Sequence, residues 1–530
     1  MNTLNVNAMS VQSRDAVDQA LDLALPPRRP AVRRQPGAGF VRGAAPRYAA
    51  MAAALFLAGC AAPAFKQPAV SVPASYKEAA LAAAAQDAVR SAPDGSTWKQ
   101  AAPAERQPRG EWWKAFGDAT LDAMVADAIA NNQNVAVALA RLKQARAIAG
   151  IAEADRSPQV GLSASAQRQQ LSPLEARQPA GSAVAPGNAY QARLTASYEL
   201  DLFGRVASSV AAARGDAAAS EANFRSVLLS LEADVAQTYF RVRALDAEIE
   251  TAERAVALRE ESVKLTGRRF ELGDIGEFDL ARARTELAAS RAEAIGLQRR
   301  RATAEHALAV LLGKPVAAFG LPSRPLAEAE QLPVIPGGLP SALLERRPDI
   351  AAAQRAMEAA NARIGVARAA MFPAVRLGAG AGGAAGAAGD VLTWGARSWL
   401  LGAALALPVI DGGRNRAEVT RSEAALEESV GIYRQHVLAA FAEVEDNLAG
   451  LRILADQGGQ IEQALVSARR SAELAQKLYD AGRSGYLELL DAQRNLAQVE
   501  RSAVQLRGER AVTTVALVRA LGGDWEAGKG

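Results

Sequence analysis

Few residues in this chain are of types that do chemistry. Among 530 residues there is one cysteine, Cys60, and there are two histidines, His306 and His436. A single cysteine excludes an intramolecular disulfide framework and any zinc knuckle. Neither histidine has a second ligand in helical register, so both read as structural and no metal site is expected. No HExxH pair, phosphate-cradling P-loop or nucleophile elbow occurs. Gly378-Ala379-Gly380-Ala381-Gly382-Gly383 satisfies GxGxxG, but glycines continue to Gly389 and no helix opens there. The stretch therefore reads as a strand-to-loop tip rather than a dinucleotide cradle. Charge is crowded instead at two short turns, Gly273-Asp274-Ile275-Gly276 and Gly482-Arg483-Ser484-Gly485. Nothing here is an enzyme's constellation.

The elements that must carry those turns are long helices. No proline occurs between Gly187 and Lys314 or after Pro408, which leaves those stretches free of the residue that breaks a helix interior. Leu231, Val235, Thr238, Val242, Leu245, Ile249, Ala252 and Val256 keep a spacing of three and four. Val437, Phe441, Val444, Leu448 and Leu451 do the same, and after a break near Asp456–Gly459 the pattern resumes through Ile461, Leu465, Ala468, Ala472, Ala475 and Tyr479. Repeats of this kind predict coiled-coil seams on helices over Ser209–Leu272 and Glu418–Ala481. Return helices follow at Phe278–Leu312 and Leu487–Leu521. Shorter helices are expected over Leu121–Ala154, stopped by Ser157-Pro158, and over Leu343–Ala370.

Between helices, four pieces alternate in the manner of strands with two different faces. These are Val160–Ala166, Ala192–Leu200, Val375–Ala381 and Trp399–Leu407. The order helix, strand, strand, long helix, return helix thus occurs twice. Phe270-Glu271-Leu272-Gly273 matches Tyr479-Asp480-Ala481-Gly482 in register, and Leu312-Gly313 matches Leu521-Gly522. The organisation expected is a leader over 1–59, an extended segment over 60–117 with an aromatic cluster at Trp112, Trp113 and Phe116, and a first repeat over 118–320. A proline-rich linker over 321–337, a second repeat over 338–523 and a tail over 524–530 complete it. Lysine and arginine number 61 against 57 acids, and the signs are interleaved. The Arg299–Arg301 run therefore reads as a solvated face, and no nucleic-acid partner is expected. Ten-residue strands suit a tilted membrane crossing, yet four of them cannot close a barrel.

Two resemblances build on these residues. A short apolar segment, Tyr48–Leu57, ends in Leu57-Ala58-Gly59-Cys60, which resembles the lipobox of bacterial lipoproteins. That implies cleavage before Cys60 and acylation of it, a covalent lipid being the one non-protein group expected, with no other cofactor. Tyr198-Glu199-Leu200-Asp201-Leu202-Phe203-Gly204, Arg346-Arg347-Pro348-Asp349-Ile350 and Tyr486–Gln493, within the double repeat, resemble the TolC-like outer membrane efflux proteins and their NodT-type lipoprotein branch. The resemblance implies a homotrimer, a twelve-stranded barrel in outer-membrane lipid continued by a coiled-coil helical barrel across the periplasm. It also implies a passive exit duct for drugs, metals or other solutes. Its partners would be a periplasmic adaptor and an inner-membrane transporter of the RND type. A protein-secretion duct and a lipid-anchored coiled-coil scaffold with soluble strands are the other readings. In the leading one the turns at Gly273, Gly276, Gly482 and Gly485 face the adaptor. Asp274, Asp480, Arg483 and Ser484 are then the candidates for gate or adaptor contact. Related channels often carry an aspartate where this chain has Ser484, which makes Asp480 and Asp274 the candidates for an acidic ring.

Overall fold

The computed structural model describes residues 64–70, 72–73, 75–78, 110–179, 181–326, 332–333, 335 and 340–523. In chain order the helices are α1 (Ala119–Asn131), α2 (Gln133–Ala154), α3 (Arg205–Glu271), α4 (Glu277–Leu311), α5 (Pro340–Arg346), α6 (Pro348–Ala369), α7 (Arg414–Asp480) and α8 (Tyr486–Ala520). Strands β1 (Gln159–Gln169) and β2 (Gly187–Leu200) follow α2, and β3 (Ala374–Ala385) and β4 (Arg397–Ala406) follow α6. The two long helices have 67 residues each and their return helices 35 each. At about 1.5 Å per residue each long helix spans roughly 100 Å. The loop joining β1 to β2 is six residues longer than the one joining β3 to β4.

Two expected helices are broken. The stretch Leu121–Ala154 is interrupted at Asn132, whose side-chain oxygen accepts from the amides of Asn134 (2.8 Å) and Val135 (3.2 Å) and so starts α2 afresh. An asparagine inside a helical pattern is a weak sequence signal, and here its cap wins. Its own amide nitrogen donates to the Leu311 carbonyl, 2.8 Å away, tying that corner to the end of α4. Leu343–Ala370 is interrupted at Arg347, because Pro348 takes the first position of α6 and disfavours a helical residue before it. By contrast α7 runs straight through Asp456–Gly459, where only the apolar spacing lapses.

Along the molecule the helices form strips four wide. Nearest the strands, α2 packs on α3, α3 on α6 and α6 on α7; further away, α4 packs on α3, α3 on α8 and α8 on α7. Small residues allow the close approaches. A Cβ on Gly215 would sit 3.0 Å from that of Ala359, and one on Gly508 would sit 2.5 Å from that of Ala244. The seam expected on α7 is present, with Val437, Ala440, Val444, Leu465, Ala468 and Ala472 buried. On α3 burial is broader than a seam. Ala233, Val235, Ala236, Tyr239, Phe240 and Val242 are all buried, because the middle of α3 has neighbours on several sides.

The aromatic cluster is part of this core. Trp112 and Trp113 stand edge to face at 5.9 Å, and Phe116 lies 5.0 Å from Phe240. Residues 64–76, where described, have no regular secondary structure and lie against the second half, and Lys77 and Glu78 are helical. Tyr76 is buried there with Met357, Tyr433 and Val437, and the Lys77 and Glu78 amides donate to the Glu445 carboxylate. Arg299 and Arg300 are exposed as expected, but Arg301 turns inward. It pairs with the fully buried Asp246 at 2.6 Å and donates to the Leu321 carbonyl, while Arg243 reaches Asp246 from the other side at 3.3 Å. A buried carboxylate needs such partners, and they hold the start of the linker against α3.

Trp112 Nε1 donates to the Glu232 carboxylate at 3.0 Å. Burial of Glu232 pushes its pKa up to about 7 from 4.5, against the opposing Trp112 hydrogen bond. The folded chain thus keeps this proton in a window where the unfolded chain has lost it, so stability falls as pH rises from 4.5 to 7. Glu232→Gln is expected to raise stability above that window by roughly 1–3 kcal/mol and to change nothing below it. Thermal melting of both proteins across that range checks this.

Candidate functional site

The four strands form one antiparallel sheet in the order β1-β2-β3-β4, so β1 and β4 are both edges. Register fixes the faces, since directly paired residues project to the same side. One row runs Leu162, Leu194, Ala381, Trp399; the next on that side runs Val160, Ala196, Ala379, Leu401. This face is apolar and uncovered, with Leu162 79%, Trp399 80% and Leu401 74% exposed. Soluble sheets bury such a face, so the scaffold reading with soluble strands does not fit. The opposite face carries Ser163, Ser165, Gln191, Arg193, Thr195, Ser197 and Glu199, with glycines at 378, 380, 382 and 402; Leu400 is its one large apolar residue. The GxGxxG stretch therefore lies wholly inside β3, in ladder with β2. It is not the loop tip expected, because the alternation continues through Ala385 despite the glycines.

At the far end of the helices lie the two turns. Gly273 (φ +77°) and Gly482 (φ +68°) cap α3 and α7 in the left-handed region, where a side chain is disfavoured. Gly276 and Gly485 differ from the expectation, for both are extended, with φ of −82° and −79°, and serve as N-caps of α4 and α8. That backbone suits any residue; at Gly485 a Cβ would instead crowd the Glu488 carboxylate at 3.0 Å. Asp274 is exposed and lies 3.8 Å from Arg269, whose guanidinium stacks over the Tyr479 ring at 4.5 Å. This cation–π contact joins the two hairpins. Tyr479 and Tyr486 pack at 6.0 Å in a small core with Ala283, Leu489 and Leu490. Burial raises the pKa of both phenols, against nearby arginines, Arg269 for Tyr479 and Arg259 for Tyr486.

The structure does not bring Asp480 and Arg483 together. Asp480 is exposed and accepts from Gln476 at 2.9 Å, and the exposed Arg483 has no ion pair among the described residues. The Ser484 hydroxyl is half-buried and, like that of Tyr486, finds no hydrogen-bond partner among the described residues. Sequence reasoning missed Arg269 and Tyr479 as a linking pair; the aromatic at a turn glycine's shoulder was the available signal. It also missed Arg259, a buried cation of α3 that donates to Gln493 of α8 at 2.7 Å. Above it Arg494 and Arg501 of α8 pair with Glu286 and Glu293 of α4. His306 and His436 are exposed, and no group of metal-ligating residues forms among the described residues. Cys60 lies outside the described residues.

An apolar-faced sheet with two open edges, set on helices about 100 Å long with charged tips, is one stave of a membrane-spanning duct. Comparison with known proteins agrees. The outer membrane efflux protein family matches residues 124–314 and 339–523. The pyoverdine export outer membrane protein OpmQ of Pseudomonas aeruginosa is 36% identical over 421 residues, covering 79% of this chain and 88% of that one. The cation efflux system protein CusC of Escherichia coli O6:H1 is 30% identical over 477 residues, covering 89% and 97%. A solved membrane protein from Pseudomonas aeruginosa superposes with a TM-score of 0.77 at 32% identity, covering 89% of this chain and 99% of that one. This chain belongs to the outer membrane efflux protein family. It is an outer-membrane efflux channel of TolC-like fold and not an enzyme.

Neither Asp480 nor Arg483 has an ionic partner among the described residues, so both charges are free to meet another surface. Asp480→Ala with Arg483→Ala is expected to raise single-channel conductance in the absence of other proteins. Conductance equal to wild type in a folded channel would make these residues ordinary solvated turn positions.

Proposed function

We propose that three copies close into a trimer whose twelve strands form the outer-membrane barrel and whose helices form the periplasmic duct. The carrying observation is the pair of open edges, β1 and β4, beside an uncovered apolar face. In lipid an unpaired strand edge leaves backbone groups without partners, and only closure removes it. Three copies of a four-stranded sheet give an even number of strands within the range of outer-membrane barrels, under the cyclic symmetry usual for rings. The helical strips ask for the same completion. Ile148 and Ile151 on α2, Phe278 and Ile295 on α4, and Ile453 and Val466 on α7 are exposed on the outermost helices.

In this reading the duct receives solutes from an inner-membrane transporter of the RND type through a periplasmic adaptor that meets the tips at Gly273–Gly276 and Gly482–Gly485. Asp274 and Asp480 supply acidic charge around the entrance, once per copy. The named relatives are a pyoverdine export protein in one case and part of a cation efflux system in the other, so the fold does not dictate the cargo. Cys60 is the mature N-terminus and carries the acyl chains that hold the chain to the membrane beside the barrel, multiple chains giving firm attachment where one does not.

Crosslinking followed by mass measurement should give trimers, and a conducting monomer or dimer would overturn the closure argument. Cys60→Ser is expected to abolish palmitate labelling while leaving part of the export activity, because the barrel itself is membrane-bound. Labelling that survives the substitution would move the lipid elsewhere.

A further inference from the structure

The polar face of the sheet carries two cations, Arg193 and Arg376, and only Arg193 has no carboxylate beside it among the described residues. Arg193 lies in the row Ser163, Arg193, Gly382, Ser398, in which no other side chain is longer than serine. Its aliphatic stem crosses the neighbouring strand, its Cδ lying 3.5 Å from where a Cβ on Gly380 would stand. With the Gln191 amide oxygen turned toward it, that oxygen accepts from Nε at 3.1 Å and from Nη2 at 3.0 Å. Gln191 thus holds one edge of the guanidinium, and the other edge meets no acceptor among the described residues. The strands contain one acid, Glu199. That carboxylate is committed elsewhere, to Arg205 at 2.6 Å and Arg376 at 3.4 Å. Arg193 is therefore a held cation without a carboxylate, on a face cleared by glycines.

We propose that Arg193 is an anion-binding station in the lumen of the barrel, taking carboxylate-bearing solutes on the open edge of its guanidinium. The inference rests on the trimeric barrel proposed above, in which the apolar face meets lipid and the polar face lines the channel. Each copy then contributes one Arg193 at the same height. A ring of arginines in a pore favours anions, and a guanidinium edge matches the two oxygens of a carboxylate. The glycine row has a physical role here as well. Gly378, Gly380 and Gly382 weaken a strand interior, but a Cβ at 380 would already touch the Arg193 stem at 3.5 Å, so a longer side chain there would compete for the space over which Arg193 lies, while a Cβ at 382 would strike the β2 backbone at Ala192 and Arg193. Arg376 differs in that its guanidinium is drawn to Glu199, 3.4 Å away.

The test uses the full-length protein in planar bilayers under a salt gradient, with citrate as the carboxylate probe. Arg193→Gln is expected to shift the reversal potential toward cation preference, Arg193→Glu to shift it further, and Arg193→Lys to leave it near wild type. Citrate at millimolar concentration should interrupt the wild-type current, and Arg193→Gln should weaken that block at least about tenfold, the loss expected for one charge-assisted hydrogen bond. Gln191→Ala should weaken the block while keeping the reversal potential, since the charge remains but its orientation is lost. Channels that conduct with unchanged ion preference in Arg193→Gln and Arg193→Glu would overturn the station. So would a wild-type current indifferent to citrate, which needs no variant to fold. Where the wild type is shut at its tips the same measurements are made on the Asp480→Ala, Arg483→Ala background, and a folded protein of that kind that conducts nothing would overturn the barrel reading, and the station with it.

Discussion

The unpaired edges of the sheet constrain everything else in this molecule. A four-stranded antiparallel sheet with one largely apolar, largely uncovered face is stable neither in water nor, with its edges open, in lipid, where each unsatisfied backbone group costs several kcal/mol. The same incompleteness continues down the helices, whose outermost members expose isoleucine and phenylalanine. The interior of one chain is well packed around Tyr239 and Phe240 and still leaves large apolar side chains uncovered on its outer helices. For such a chain, stability and assembly are one quantity rather than two.

Within that constraint the two halves share lengths but not surroundings. Helices of 67 and 35 residues occur twice, yet α3 sits inside the strip and α7 at its border. Equivalent positions consequently meet different fates. Phe270 and Tyr479 correspond in register, but Phe270 is 40% exposed while Tyr479 is 3% exposed beneath Arg269. A hydroxyl at the ring's end and a cation above it suit a buried contact between hairpins, whereas an exposed phenyl on the first hairpin suits contact with a neighbour. One structural pattern thus supplies both a stitch within the chain and a surface between chains.

Much of this was legible in the sequence because long-period signals survive averaging. Heptad spacing from Leu231 to Val256 and from Val437 to Tyr479, absence of proline and matched turn motifs all point to the same helices, and the elements lie within a few residues of where they predict. What was not legible depends on neighbours. Asn132 breaks α2 from α1 through a cap that competes with helix continuation, and the outcome is settled by its further bond to Leu311. The width of the buried stripe on α3 depends on how many helices surround it. Arg301 looks like its exposed neighbours until Asp246 is placed opposite. At the tips the turn glycines were visible, but not that two of the four are ordinary extended caps, nor that Arg269 rather than Arg483 makes the contact between hairpins.

The sheet shows the same division between pattern and purpose. Alternation alone separates its faces, yet β3 is nearly devoid of side-chain bulk on one of them, and glycine is a poor strand former. A sheet selected only for stability would carry branched residues there. On the apolar face it does carry Val375, Leu377, Leu401 and Leu405, so the restriction to small residues is one-sided. Side-chain volume is removed from the face that a duct must keep open, and the stability lost there is recovered on the face that lipid covers. Of the polar residues that remain, Ser163, Thr195 and Ser197 are short, Arg193 is held by Gln191, and Glu199 pairs with Arg376. The sheet is therefore shaped as a wall for passage, with its chemistry kept sparse.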